Sequence, residues 1–229
     1  MTNGAKHVEE RLFYRLTSRA YEFLMLNIFY FVLTFFFYVG IVNTLWGIEA
    51  WLFFIPFIII NCLYFSALIR YFKEKKEEGY GVRPIKFLEQ LRNQFFNGSR
   101  IGVIASLIYT ILLIDALFIL LHPSIYFLFA LLAIITVMVT TWLLNLTTVD
   151  VYQSNLNFKK QAKLALLLSL KRWPDGLVNL FWLAILVLSM VYRVQLGFIL
   201  MPSVIYFFIY KINDQAYRRT IEQINGGEI

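Results

Sequence analysis

Residues 101–149 read IGVIASLIYTILLIDALFILLHPSIYFLFALLAIITVMVTTWLLNLTTV. No lysine or arginine interrupts them, and Asp115 is their one carboxylate. A helix that crosses a bilayer needs about 20 mostly apolar residues. The stretch is more than twice that, and His122-Pro123 divides it at a residue that starts helices far better than it continues them. It therefore predicts two spans, 101–121 and 124–149, joined by a very short turn, the second long enough to tilt.

The same composition runs through the rest of the chain. Of 229 residues, 60% are hydrophobic and 15% charged, where an average soluble domain is about 25% charged. The mean hydropathy is +0.67. Too little polar surface is available to cover a water-soluble particle, which excludes a soluble domain, a disordered chain and a disulfide scaffold. Further apolar runs at 23–42, 51–69, 177–192 and 194–210 complete a set of six spans. The last two are short and are divided only by Arg193, so a tight turn is expected there. The first run should stay as a helix, because no A-x-A-like cleavage site follows it. Residues 1–22 then form a polar N-terminal segment, 23–210 a six-helix membrane domain and 211–229 a polar tail.

Basic residues set the expected orientation. Of the 21 Lys and Arg, all but Arg193 fall before span one, between spans two and three, between four and five, or after six. Both termini are thus expected in the cytoplasm, in the plasma membrane. The aromatic belts agree, with Trp46, Trp51 and Tyr126 outside and Tyr71, Tyr152, Trp173 and Tyr210 inside. The net charge of +7 is explained by these loops, and no nucleic-acid partner is expected. The fold class is an all-α membrane protein.

Two long cytoplasmic loops carry helical patterns of their own. Residues 85–96 place Ile85, Leu88, Leu91 and Phe95 at near-helical spacing. Residues 158–173 place Phe158, Ala162, Ala165/Leu166 and Ser169 on one stripe, against Lys159, Lys160 and Lys163. Each predicts an amphipathic helix at the membrane interface, bound to lipid or packed under the bundle. Phe158, Lys159, Lys160 and Lys163 are the candidate docking surface for a partner. Pro56 and Pro202 fall within expected spans and predict kinks.

Catalytic signatures are missing. The chain holds no G-x-x-x-x-G-K-[ST], H-E-x-x-H, C-x-x-C or G-x-S-x-G. His7 and His122 are expected on opposite sides of the membrane, and Cys62 within it. No enzyme, cofactor or metal is expected. The candidate polar site within the membrane consists of Asp115, Asn27, Asn61 and Asn145. A carboxylate at a helix centre costs about 2.5–3.5 kcal/mol on insertion scales. Asp115 lies six residues from the outer end of its span, roughly 9 Å deep, so it costs less. It can open outward as a proton, cation or sugar-hydroxyl site, or accept a hydrogen bond from Asn, Thr or Tyr on a neighbouring helix. With no second charge in any span, the packing role is the expected one. The asparagines are expected to make interhelical amide bonds.

Three stretches, LMLNIF at 24–29, FLEQLRNQF at 87–95 and AKLALLLSLKRWP at 162–174, together with the six-span layout, resemble the YesL-like family of bacterial membrane proteins. The resemblance covers most of the chain and implies companionship with carbohydrate ABC importers. The expected function is therefore a non-catalytic accessory subunit of an oligosaccharide importer, bound to its permease subunits. The alternative is a small secondary transporter or channel that uses Asp115.

Overall fold

The structure, a computed structural model, describes residues 3–44, 50–79, 81, 83–97, 99–192, 197 and 199–225. The described residues form eight helices and no strand: α1 (Asn3–Thr44), α2 (Ala50–Glu78), α3 (Pro84–Asn97), α4 (Ser99–Leu121), α5 (Leu128–Tyr152), α6 (Phe158–Lys171), α7 (Trp173–Tyr192) and α8 (Pro202–Asn225). Five stretches are long and apolar enough to cross a membrane: Leu16–Phe37, Ile55–Glu78, Arg100–Leu121, Leu128–Tyr152 and Trp173–Met190. This is consistent with a multi-pass membrane protein.

The expected polar N-terminal segment is not separate from the first span. From Asn3 onward it is the start of α1, a single helix of 42 residues. α2 likewise continues past its apolar run, through Lys75 and Lys76 to Glu78. Gly79 ends it with a φ of 66° and donates its N–H to the Lys75 carbonyl at 3.1 Å. A glycine takes this left-handed conformation without steric cost. Pro56 lies inside α2.

The sixth expected span, 194–210, is not among the five stretches. Residues 193–196 and 198, with Arg193 among them, lie outside the described residues, as does Trp46 of the expected aromatic belt. Chain reversal is visible on either side. Gly197 is buried, and a Cβ there would lie 2.4 Å from both Cα and N of Met190. The returning chain therefore touches the α7 backbone directly. Pro202 then opens α8 instead of kinking a longer helix, since its missing N–H and fixed φ suit a first helical position. Only residues 202–210 of α8 are apolar, about 13 Å of helix.

α1 and α2 pack antiparallel around an aromatic core. Tyr30 and Tyr64 meet edge to face at 4.9 Å. Phe87 from α3 inserts into that core, stacked on Phe29 at 5.8 Å and edge-on to Tyr64 at 5.5 Å. From α8, Tyr206 lies 5.2 Å from Phe65, and Tyr210 stacks on Phe72 at 5.5 Å. A second core joins α4, α5, α6 and α8 through Ile101, Leu146, Val149, Ala165, Leu168 and Tyr217.

The two expected amphipathic helices exist; α6 turns the Phe158, Ala162, Ala165 and Ser169 side of its expected stripe inward, whereas α3 buries a different face. On α3 the buried side chains are Phe87 and Gln94, whereas Ile85, Leu88, Phe95 and Phe96 are exposed. On α6 they are Gln161, Ala165 and Leu168, whereas Leu166, Leu167 and Leu170 are exposed.

Candidate functional site

Three of the four polar residues singled out within the spans have partners on other elements. The Asn61 Oδ1 accepts from the Tyr30 hydroxyl at 2.9 Å and the Tyr206 hydroxyl at 2.7 Å. Its Nδ2 donates to the Phe57 carbonyl at 2.8 Å. One amide thus joins α1, α2 and α8 within the aromatic core. Asn27 donates to the Leu200 carbonyl at 2.8 Å and accepts from the Ser203 N–H at 2.9 Å. Asn145 donates to Ser169 Oγ at 2.9 Å and ties α5 to α6.

Asp115 is different. It sits on the exposed face of α4, flanked by exposed Ile111, Ile114 and Phe118. It makes no hydrogen bond or ion pair with any described residue. The structure therefore does not gather Asp115, Asn27, Asn61 and Asn145 into one site.

Beside Asn61 lies a cavity of about 210 Å³ whose walls include Cys62, Tyr109, Thr140 and Tyr206. Its polar groups are largely occupied already. Tyr109 and Thr140 share a hydrogen bond of 2.7 Å, and Thr140 donates to the Thr136 carbonyl at 2.7 Å.

Charge collects at one end of the bundle. Glu22 on α1 is 3% exposed. Lys75 on α2 reaches both its oxygens, at 2.5 and 2.6 Å, and Tyr71 donates to Oε1 at 2.8 Å. On α8, Asp214 accepts from Tyr152 at 2.6 Å, Arg218 at 2.7 Å and Lys76 at 3.0 Å. Burial opposes ionisation of Asp214, but these three donors outweigh it and hold the carboxyl below its ordinary range. Arg70 pairs with Asp150 at 3.2 Å. Gln90 donates to Glu74. Helices α1, α2, α5 and α8 are therefore joined by ion pairs where their apolar stretches end.

Sequence reasoning passed over Glu22, Asp150 and Asp214. Each is an acid beside the boundary of an apolar run. That local composition signals an ion pair, but not which of the many lysines and arginines closes it.

Of the expected docking residues, Lys159, Lys160 and Lys163 are exposed. Phe158 is engaged, with the Arg100 guanidinium 4.2 Å from its ring centroid. Ala165 and Ser169 face α5, while Leu166 points away from it.

Among the described residues, no group of three or more His, Cys, Asp or Glu is placed to hold a metal ion. Glu22, Asp150 and Asp214 are each paired with a cation from another helix, an arrangement that ties the helices together. Compared with known protein families, curated proteins and solved structures, the chain matches none.

Proposed function

We propose that the protein is a non-catalytic accessory subunit of a carbohydrate ABC importer, a six-span plasma-membrane protein with both termini in the cytoplasm. It holds to permease subunits chiefly through its helices. The importer follows from the YesL-like resemblance, and the mode of attachment from Asp115. A carboxylate within a membrane span ordinarily faces the bundle interior or a water-filled cavity and pairs there. Asp115 instead lies on an uncovered apolar ridge of α4 with no donor among the described residues. A permease helix carrying a hydroxyl, amide or cation at that depth supplies the missing donor, and Ile111, Ile114 and Phe118 supply close packing around it.

Purification from native membranes in mild detergent tests this reading. Permease subunits should co-elute, and a photoreactive residue at Phe118 should cross-link to them. Deletion should lower oligosaccharide uptake. A lone monomer or homo-oligomer, with uptake unchanged on deletion, overturns it.

A further inference from the structure

Between the charged ends of α1, α2 and α8 lies a cleft of about 460 Å³, within the range of roughly 300–1,000 Å³ typical of ligand sites. Its wall changes character with depth. Phe23, Phe72 and Phe207 form the apolar part, with ring centroids 5.3 Å apart for Phe23–Phe207 and 4.9 Å for Phe72–Phe207. Arg19, Lys75, Lys76 and Lys211 form the polar part, together with Glu22 and Asp214.

The two carboxylates do not balance the four cations. Glu22 is taken by Lys75. Asp214 is shared by Lys76 and Arg218. Arg19 makes no hydrogen bond or ion pair with any described residue. Lys211 has only the face of Phe207, 5.0 Å away. Tyr210 lines the cleft as well, its ring stacked on Phe72 at 5.5 Å.

We propose that this cleft binds the phosphate ester of an anionic phospholipid, with Arg19 and Lys211 as its principal cations and the acyl chains running along the three phenylalanines. Basic pockets between membrane helices are suited to anionic headgroups. The apolar wall favours a lipid over a soluble phosphate, because a water-soluble ester leaves the rings uncovered. The assignment does not depend on the importer reading.

The test is the association of spin-labelled phosphatidylglycerol with the full chain in phosphatidylcholine liposomes, using spin-labelled phosphatidylcholine as the reference. The wild type should prefer phosphatidylglycerol. Removing both free cations in Arg19→Gln/Lys211→Gln should reduce that preference by about fivefold for each charge, the effect of one basic residue near a membrane surface. Equal association of the two lipids with the wild type overturns the proposal. So does an unchanged preference in a double variant of normal helicity and melting temperature. Competition by glycerol phosphate in solution would identify a soluble ester as the ligand and overturn the lipid assignment. Should the double variant fail to fold, photo-crosslinking of wild-type protein with a diazirine-bearing phosphatidylglycerol decides the matter. Adducts at 19–23 and 207–211 support the cleft, and adducts confined to other segments overturn it.

Discussion

Lys75 closes on Glu22 through both carboxylate oxygens, while Tyr71, one turn earlier on α2, donates to one of them. Three polar side chains thereby fix the register of α1 against α2 at one level of the bundle.

Removing one partner of such a pair should cost more than the pair itself contributes, because the other charge remains without compensation. Glu22→Gln should destabilise the protein by about 1–3 kcal/mol, below the roughly 3–5 kcal/mol of a fully buried break, since Lys75 is 27% exposed. Glu22→Gln/Lys75→Met should recover part of the loss. Unfolding in mixed detergent and SDS, run as a double-mutant cycle, measures both.

Asp214 gives a pH dependence whose sign is fixed. Its folded pKa lies below the ordinary 3.8, so the unfolded state binds a proton first as pH falls. The stabilisation it contributes is complete above 3.8 and is lost as pH falls through the folded value. Melting temperatures of detergent-solubilised protein should drop in that acid range, and the drop should shrink in Asp214→Asn. An identical acid profile in the variant would contradict the assignment.

Asn61 serves two tyrosines with one oxygen. Asn61→Leu leaves both hydroxyls without that acceptor, and should cost about 1–2 kcal/mol, because interhelical hydrogen bonds in membranes average only about 0.6 kcal/mol each. Adding Tyr30→Phe and Tyr206→Phe should return most of it, as removing all partners together strands no polar group. SDS-induced unfolding of the two variants makes the comparison.

Gly197→Ala places a methyl against main-chain atoms of Met190, which cannot move aside as a side chain would. The α7–α8 hairpin should open, with a loss of about 1–3 kcal/mol as for other overpacked sites. Faster proteolysis after α7 in the variant, with α1–α6 intact, is the expected readout.

Orientation is tested by cysteine labelling in a Cys62→Ser background. Gly81→Cys should be protected from a membrane-impermeant maleimide in whole cells, and Ser124→Cys should react. The reverse pattern would invert the topology proposed from the basic residues.

The helices were legible in the sequence wherever length and apolarity decide them. The spans at 101–121 and 124–149 correspond to α4 and α5, offset by a few residues because Pro123–Ile125 forms a short 3₁₀ turn. The loop helices were legible from their periodicity, and so was the inward face of α6, but not that of α3. Periodicity identifies an apolar stripe without saying what receives it, and the burial of Phe87, and of Ala165 in place of Leu166, was decided by packing. The Glu22–Lys75 pair spans 53 positions, and nothing local in either helix selects the other. Asn27 and Asn61 were visible as polar residues in apolar runs. Their partners were not, since a backbone carbonyl at Leu200 leaves no mark in sequence.

The brace between Asn27 and the start of α8 bears on how the chain enters the membrane. Leu200 and Ser203 flank Pro202, and Asn27 satisfies the carbonyl on one side and the N–H on the other. Ser203 also donates to the Phe23 carbonyl at 3.1 Å. α8 has too short an apolar stretch to partition into lipid by itself, and its first turn holds main-chain groups that only α1 completes. α8 therefore takes its place only against an α1 already set, and a chain cut before residue 200 would leave the Asn27 amide without either partner.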